Sequence, residues 1–595
     1  MIQSCRRRIN NNKRQTHHSV CSLNMDEREE IVPVKRVVTQ GNLLNEENPP
    51  TSSSDGSPSD DDDEVEDETF VPGPEGTSEE EGEGMDVDED VNEGGDKPCT
   101  AWLSKSGITW SPTEEETLRY RAAGIRKPGI TRYAASHIND LEDSFSFFIT
   151  EEIIDTIVRQ TNVQGGRKAG DGWKEVDRVE MRAYLGLLLL AGVHRSRGEA
   201  TCSLWGEDTG RPIFRATMSL KRFITLSRMI RFDDRLTRQA QKKPDKLAPI
   251  RDVWDQWVVR LPLAFNPGEN ICIDEQLVGF RGRCRFKQYI PSKPAKYGLK
   301  LWALCDVATS YAWGLQPYLG KPTREAPPEG EQGKRVVLEL TEGLSGHTVT
   351  TDNFFTSYDL GMKLLERKMA LVGTVRHNKP ELPPQLLKVK ERQVLSSLFA
   401  FTSKMTAVSY VPKRSRNVLL LSTKHRSAEV SGEQHQKPQI ILDYNRCKGA
   451  VDNLDKLVAL YSSRRMTRRW PMVLFGNMLD VSAYNALVLW LEVNPEWNRG
   501  KNFRRRLFLQ ELGNCLVRPA MARRKRLPRT PNTAAMVEAA QRAADQSPSK
   551  AEEPRAKRKC RLCHGKRSVF SRSCSKCGHA VCKDHTVWIC SACTN

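Results

Sequence analysis

The sequence predicts a multidomain α/β protein. Three observations carry this reading. Apolar residues recur at helical spacing over roughly residues 125–265. The pattern then changes to β-branched and alternating segments interrupted by two helical stretches, the mark of a mixed sheet. Finally, the last 36 residues, Cys560–Asn595, carry closely spaced cysteines and histidines. At 595 residues the chain has the length for several such units.

Residues 1–124 read as a disordered, acidic N-terminal region. They are rich in Ser, Gly, Pro, Asp and Glu and too poor in aromatics to offset chain entropy by burial. A helix then starts at Thr150, with Ile153, Ile154 and Ile157 on one stripe. Further helices are expected at Met181–Val193, Phe214–Phe232 and Ile250–Leu263, with Trp254 and Trp257 in the core. Strands follow at Asn270–Phe280, Leu299–Val307, Tyr311–Pro317 and His347–Thr351. Helices at Gly333–Gly343 and Thr356–Lys368 alternate with these, and Met369–Val375 is a last strand. Residues 380–440 read as short strands with basic turns. Ala450–Tyr461 and Pro471–Val493 read as helices, and Arg523–Lys559 as a Pro- and base-rich linker.

Charge narrows the function. The chain has 92 Lys and Arg against 75 Asp and Glu, a net +17. The interval from Glu46 to Asp96 holds 22 acids and no Lys or Arg, so elsewhere 53 acids face 92 bases. Such a surplus favours a polyanionic partner, most simply nucleic acid. The acidic tail would either screen that basic body or be merely solvated. The strongly apolar stretch Leu185–Val193 is far short of the roughly 20 residues of a membrane span, so no membrane is expected. The first residues lack the apolar segment of a secretory signal. Seven of the 16 cysteines fall after Lys559, a usage that suits metal ligation in a reducing compartment.

Four carboxylates stand out. Asp274 lies in the strand ICIDEQL, where an ionised group beside Ile273 needs a cation or hydrogen-bond donors. Asp352 follows the strand HTVTT, at the end where α/β sheets place ligands. Asp452 and Asp455 sit at i,i+3 on a helix and share a face. Singly, an Asp such as Asp455 is more often a cap or a solvated charge, whereas the apolar flanks of Asp274 count against that reading. Gathered in one cleft, the four could not all stay ionised without metal, and their oxygens suit Mg²⁺ or Mn²⁺. Two such ions about 4 Å apart would activate a water or 3′-hydroxyl against a phosphodiester. Arg281, Arg283, Arg285 and Lys287 alternate beside the first carboxylate, followed by Lys293, Lys296 and Lys300 with no acid among them. They read as phosphate contacts. Arg464, Arg465, Arg468 and Arg469 form a second cluster with a weaker claim to the same role.

The segments IDEQLVGFRGRCRFKQYIPSKPAKYGLK, TTDNFFTS, GTVRHNK, YNRCKGAVDNLDKL and RRMTRRWPM together resemble the piggyBac transposase family. The resemblance runs in order from about residue 125 to the C-terminus. It implies an RNase H-like catalytic core whose metal-binding aspartates are Asp274, Asp352 and Asp452, with Asp455 accessory. It implies these segments: 125–268, the first part of a helical dimerisation and DNA-binding domain; 269–378, the first part of the core; 379–439, an insertion domain; 440–461, the rest of the core; 462–535, the rest of the helical domain; and 536–554, a linker to the cysteine-rich domain at 555–595. Arg376 and Lys379 carry over as target-DNA contacts. The implied chemistry is cut-and-paste transposition: 3′-end nicking, hairpin formation and opening, then joining to a TTAA target. The implied partners are double-stranded DNA, at transposon ends and target, and a second copy of the chain.

The terminal module pairs Cys560 with Cys563, Cys574 with Cys577, Cys582 with His585 and Cys590 with Cys593, each with two residues between. Ligands in fours mean tetrahedral structural Zn²⁺, and so short a segment needs metal to fold. Two ions fit, either in sequential knuckles or, as the close succession of the pairs favours, in a cross-brace. There Cys560, Cys563, Cys582 and His585 hold one ion and Cys574, Cys577, Cys590 and Cys593 the other. The module's bases, Lys566, Arg567, Arg572 and Lys576, together with the resemblance, favour DNA over a histone tail or a ubiquitin-conjugating enzyme as its ligand. The basic runs Arg523–Arg526 and Arg555–Lys559 suit nuclear import. An active transposase and a domesticated, non-catalytic DNA- or chromatin-binding descendant both remain open; the four intact aspartates favour the first.

Overall fold

A computed structural model describes residues 101–114, 124–240, 245–321, 329–432 and 435–546, with two short strands at 558–559 and 569–570. The acidic block, the eight expected zinc ligands and the basic run at 555–559, apart from the backbone of its last two residues, lie outside the described residues.

The centre is a nine-stranded mixed sheet. In chain order its strands are β1 (Asn270–Gly279), β2 (Lys287–Tyr289), β3 (Tyr297–Asp306), β4 (Ala312–Pro317), β5 (Thr348–Thr351), β6 (Ala370–Thr374), β7 (Ser397–Phe401), β8 (Thr406–Lys413) and β9 (Arg416–Ser422). Across the sheet the order is β7-β8-β9-β6-β5-β1-β3-β2, with β4 also paired to β3. Strand β5 is parallel to both β1 and β6, and the other pairings are antiparallel. Alternation along β1 divides its side chains between two cores. Ile271 and Ile273 pack with Val336, Val337, Leu360 and Leu364 of the helices α6 (Gln332–Leu340) and α7 (Tyr358–Glu366). Cys272 and Val278 face the other way, onto α9 (Ala450–Leu460) and α10 (Trp470–Val493).

The helical parts before and after the sheet share that second core. It joins α1 (Glu151–Ala169), α2 (Arg178–Val193), α3 (Pro212–Thr217), α4 (Leu220–Met229) and α5 (Arg251–Val258) to α10, α11 (Arg504–Ala522) and α12 (Pro531–Gln546). Thr150, Asp177 and Ser219 accept backbone N–H bonds at the starts of α1, α2 and α4, satisfying donors the helix leaves open. Helix α10 is long and apolar enough to cross a membrane, yet 94% of its apolar window is buried inside the protein. It is a core helix, expected from the sequence as Pro471–Val493, although the sequence reading takes Leu185–Val193 as the strongly apolar stretch.

Three expectations need correction and one is extended. Residues 101–114 are ordered: Trp102–Leu103 pairs with Thr109–Trp110, and the fully buried Trp110 donates its indole N–H to the Glu381 carbonyl. Phe214–Phe232 is two helices, broken at Met218, where Ser219 caps the second. The span 379–439, expected as an insertion domain, adds its strands to the central sheet, because β9 pairs with β6. Finally, Pro531–Gln546 in the expected linker is helix α12, with Val537 and Ala540 in the common core.

Candidate active site

Register brings the first two carboxylates together. Ile273 of β1 lies opposite Thr351 of β5 in parallel pairing, so Asp274 and Asp352 come next on adjacent strands. The turn after β5 is held locally. Thr356 donates to the Asp352 carbonyl at 2.8 Å, and its hydroxyl meets that of Thr351 at 2.8 Å. Gly373 on β6 lacks the Cβ that would collide with this threonine pair. The Asp352 carboxylate accepts the Phe354 N–H at 2.9 Å, and that of Asp274 accepts the Glu275 N–H at 2.7 Å.

Burial and neighbouring negative charge make both acids hard to ionise. Burial first, and then the Asp352 charge, push Asp274 up to about 7. Asp352 is raised chiefly by burial, against the N–H bonds of Phe354 and Phe355 and the nearby Lys300 ammonium. The Lys300 ammonium pairs with Glu275 at 2.8 Å and lies 5.0 Å from the Phe354 ring centre.

Helix α9 delivers the other two carboxylates. Asp452 is exposed and reaches Lys293 at 3.5 Å. Asp455 is half-buried and accepts a bond from Gln276 at 2.6 Å. Burial raises Asp455 to about 6, even with that bond and Lys293 opposing it. Lys293 stands among all of these acids: burial alone would lower its ammonium, but Asp274, Asp452, Glu275 and Asp455 together raise it. Lys293 and Lys300 are therefore compensated by carboxylates, against the expectation that they stand free for phosphate.

Among the described residues no three His, Cys, Asp or Glu side chains close around a single point as a formed metal cage. The donor set nonetheless fits a hard divalent ion. It consists of carboxylate oxygens, two of them on neighbouring strands with raised affinity for protons, with Lys293 acting on Asp274, Asp452 and Asp455 and Lys300 on Asp352. Asp274 and Asp352 would hold such an ion, with Asp452 approaching from α9.

The remaining expected site residues divide. Arg281, Arg283 and Arg285 are exposed, but residues 281–286 form a turn rather than one strand face. Lys287 opens β2 and donates to the Gly282 carbonyl at 3.2 Å. Arg376 is exposed and Lys379 half-buried in the turn after β6. Arg464 and Arg465 belong to the interior. Arg464 lies across Gly476, whose missing Cβ leaves space for its Cγ, and its Nε donates to Ser462 at 3.2 Å. Ser462 in turn donates to the buried Asp480 at 2.6 Å. Arg465 donates to the carbonyls of Ser196 and Glu199, the latter at 2.7 Å. Both guanidiniums bind protein groups, so their assignment to DNA is corrected. In the basic run at 523–526, expected to serve nuclear import, two of the bases also meet protein groups. Arg523 pairs with Asp177 at 2.7 Å, and Arg524 donates to the carbonyls of Arg215 and Ala216.

Three participants escaped the sequence reading. Gln276 is 1% exposed and links Asp455 to Asn477 of α10, whose amide donates to it at 2.9 Å. Its position two residues after Asp274 puts it on the same strand face, a signal that was available. Asn477 is buried within an apolar helix and gave none. Tyr444, on α8 (Gln439–Cys447), lies near Asp274 and Asp352 and bonds to Thr374; burial pushes its hydroxyl up to about 12.

The family model described as Transposase IS4 matches residues 142–487, an interval that contains all four carboxylates. The human PiggyBac transposable element-derived protein 3 is 26% identical over 348 residues, covering 54% of this chain and 56% of that protein. The human chimeric ERCC6-PGBD3 protein is also 26% identical, over 54% of this chain and 32% of its own length. The chain thus spans about half the length of the first relative and a third of the second. A cryo-EM structure of the piggyBac transposase synaptic complex with hairpin DNA is 32% identical, covers 79% of this chain and 100% of its own, and superposes with a TM-score of 0.65. A sheet that sets Asp274 beside Asp352, a helix that brings Asp452 and Asp455 to them, and a family match across that whole interval place the chain among the piggyBac-like transposases, the family to which it belongs.

Proposed function

We propose that the chain is a metal-dependent DNA transposase that cuts transposon ends and joins their 3′ ends to target DNA. One observation carries this reading: Asp274, within β1, and Asp352, just past the end of β5, lie on adjacent strands of a mixed sheet, with α9 bringing Asp452 and Asp455 within the field of the lysine that acts on Asp274. Divalent ions bound there would polarise a phosphodiester and ready a water or 3′-hydroxyl for attack at neutral pH. The protein's part is positional. Asp274 and Asp352 are held by backbone N–H bonds, and Asp455 by Gln276. Lys293 neutralises part of the acid cluster.

An RNase H-like core is supported by the strand sequence: antiparallel β1, β3 and β4, with the short edge strand β2 between the first two in the chain, then β5 and β6, which run parallel to β1 and are each preceded by a helix. Hairpin intermediates and a synaptic, paired-chain assembly are proposed by analogy with the solved relative, a synaptic complex with hairpin DNA. TTAA targets, a homodimer, nuclear location and two zinc ions in the terminal module belong to the same proposal. The relatives named as transposable element-derived support a second reading, a non-catalytic DNA-binding descendant. The test is excision of a donor element bearing the matching ends. Asp274→Asn, Asp352→Asn and Asp452→Asn should each abolish it with the protein still folded. Undiminished excision by any of them removes that residue from the site.

A further inference from the structure

We infer that the β8–β9 hairpin tip, Lys413, Arg414 and Arg416, is a second contact for the backbone of duplex DNA, extending outward from the carboxylates. The inference rests on the DNA-processing reading above. Topology comes first. Gly373 of β6 is paired in parallel with Thr351 of β5, so Thr374 stands level with Asp352. Thr374 is also paired with Leu420 of β9. Strand β9 runs the opposite way, so Arg416 lies four residues beyond that level on the side to which β5 and β6 run. At roughly 3.4 Å per residue, the tip projects about 14 Å past the carboxylates. It stands two strands to one side of Asp352, on the flank of the turn that carries Arg376.

Composition and local geometry agree. From Gln393 to Ala428 there is no Asp or Glu. Lys413, Arg414 and Arg416 are all exposed and have no ion-pair partner among the described residues. The pairing register shifts between Tyr410 and Lys413, and Ser415 takes a left-handed φ of 60°. A bulge of this kind twists a hairpin end and re-aims its side chains. The tip and the turn after β6 also face each other across a cleft of about 430 Å³ lined by His377, Lys413, Ser415 and Arg416. The two basic elements thus form one surface. Measured along the axis of a duplex, each strand presents a phosphate about every 3.4 Å, so a reach of this length meets several of them. With no acid in that stretch of chain, the tip gains by displacing their counterions.

The experiment measures binding of a fluorescent 30-base-pair duplex to the full chain over a series of salt concentrations. Lys413→Ala/Arg414→Ala/Arg416→Ala should weaken binding at least tenfold at about 0.1 M salt. It should also make the plot of log affinity against log salt shallower by roughly 2–3, near 0.9 per lost phosphate contact. Arg414→Lys/Arg416→Lys keeps the charges and should keep the slope. Lys404→Ala, in the turn at the opposite end of β8, is the control for general charge and should change little. An unchanged slope in the triple variant, or an equal loss per charge at Lys404, overturns the inference. If the wild-type chain itself shows no salt-dependent duplex binding, it is the DNA-processing reading that fails.

Discussion

Gln276 donates its side-chain amide to Asp455 at 2.6 Å while accepting that of Asn477 at 2.9 Å, so one buried residue of the sheet ties α9 to α10. Gln276→Ala removes the donor that orients Asp455 and leaves Asn477 buried with an unpaired amide. Loss of a hydrogen bond to a charged group is worth about 1.5–3 kcal/mol, and an unsatisfied buried amide costs a similar amount. Excision should fall about tenfold or more, and the urea unfolding midpoint should drop. Wild-type excision in a variant with a lowered midpoint would show that Gln276 serves stability alone.

Stability should respond to pH through the same cluster. The folded chain holds a proton on Asp274 up to about pH 7, whereas an unfolded carboxylate releases it near 4. Between those values the native state binds more protons, so stability falls as pH rises through the window. Asp455, raised to about 6, adds the same sign. Metal-free protein should therefore melt at lower temperature at pH 8 than at pH 5, and Asp274→Asn should flatten that dependence. Mn²⁺ should raise the melting temperature more at pH 8 than at pH 6, because protons compete for its ligands. A melting temperature that climbs with pH in metal-free wild type, and equally in Asp274→Asn, would show that Asp274 does not carry this strain.

Arg376 and Lys379 should separate cutting from joining. They lie in the turn after β6, on the flank of Asp352, and are themselves unable to hold metal. Excision depends on the carboxylates and the transposon ends, while joining also needs the target duplex. Arg376→Ala/Lys379→Ala should reduce target insertion by at least tenfold and leave donor-site excision within about twofold. Equal loss of both activities, or of neither, would reject a target-side role.

The terminal module makes a stoichiometric claim. Elemental analysis of the purified full chain should give two zinc ions. Cys563→Ser and Cys577→Ser should each remove one, since they serve different ions in a cross-brace. One ion in the wild-type chain, or loss of both from either variant, would contradict that arrangement.

The sheet strands were legible because alternation and β-branching are local signals, and those around Asp274 and Asp352 recur within two residues of their expected bounds. Pairing is not local. Nothing in residues 397–422 shows that β9 will lie beside β6, and so the inserted strands read as a separate domain. The hairpin at 101–114 was lost in the composition of its acidic neighbour, although Trp110 is an anchor that only a core explains. Arg464 and Arg465 misled for the opposite reason. In a chain with so many bases a basic run reads as surface, whereas Gly476 and the carbonyls at 196 and 199 give these two guanidiniums an interior place. Helix α12 was hidden by flanking proline and basic residues, though its alanines favour helix.

The most direct measurement is cleavage of a labelled duplex carrying the element's own end by purified chain, with Mg²⁺ or Mn²⁺ and with chelator. Wild-type protein should nick the strand only when the divalent ion is present. Asp352→Asn, folded by circular dichroism and still bound to the same duplex, should lose at least a hundredfold in rate. Binding without cleavage by the wild-type chain under every metal condition, or cleavage by Asp352→Asn at the wild-type rate, would contradict a catalytic centre built on Asp274 and Asp352.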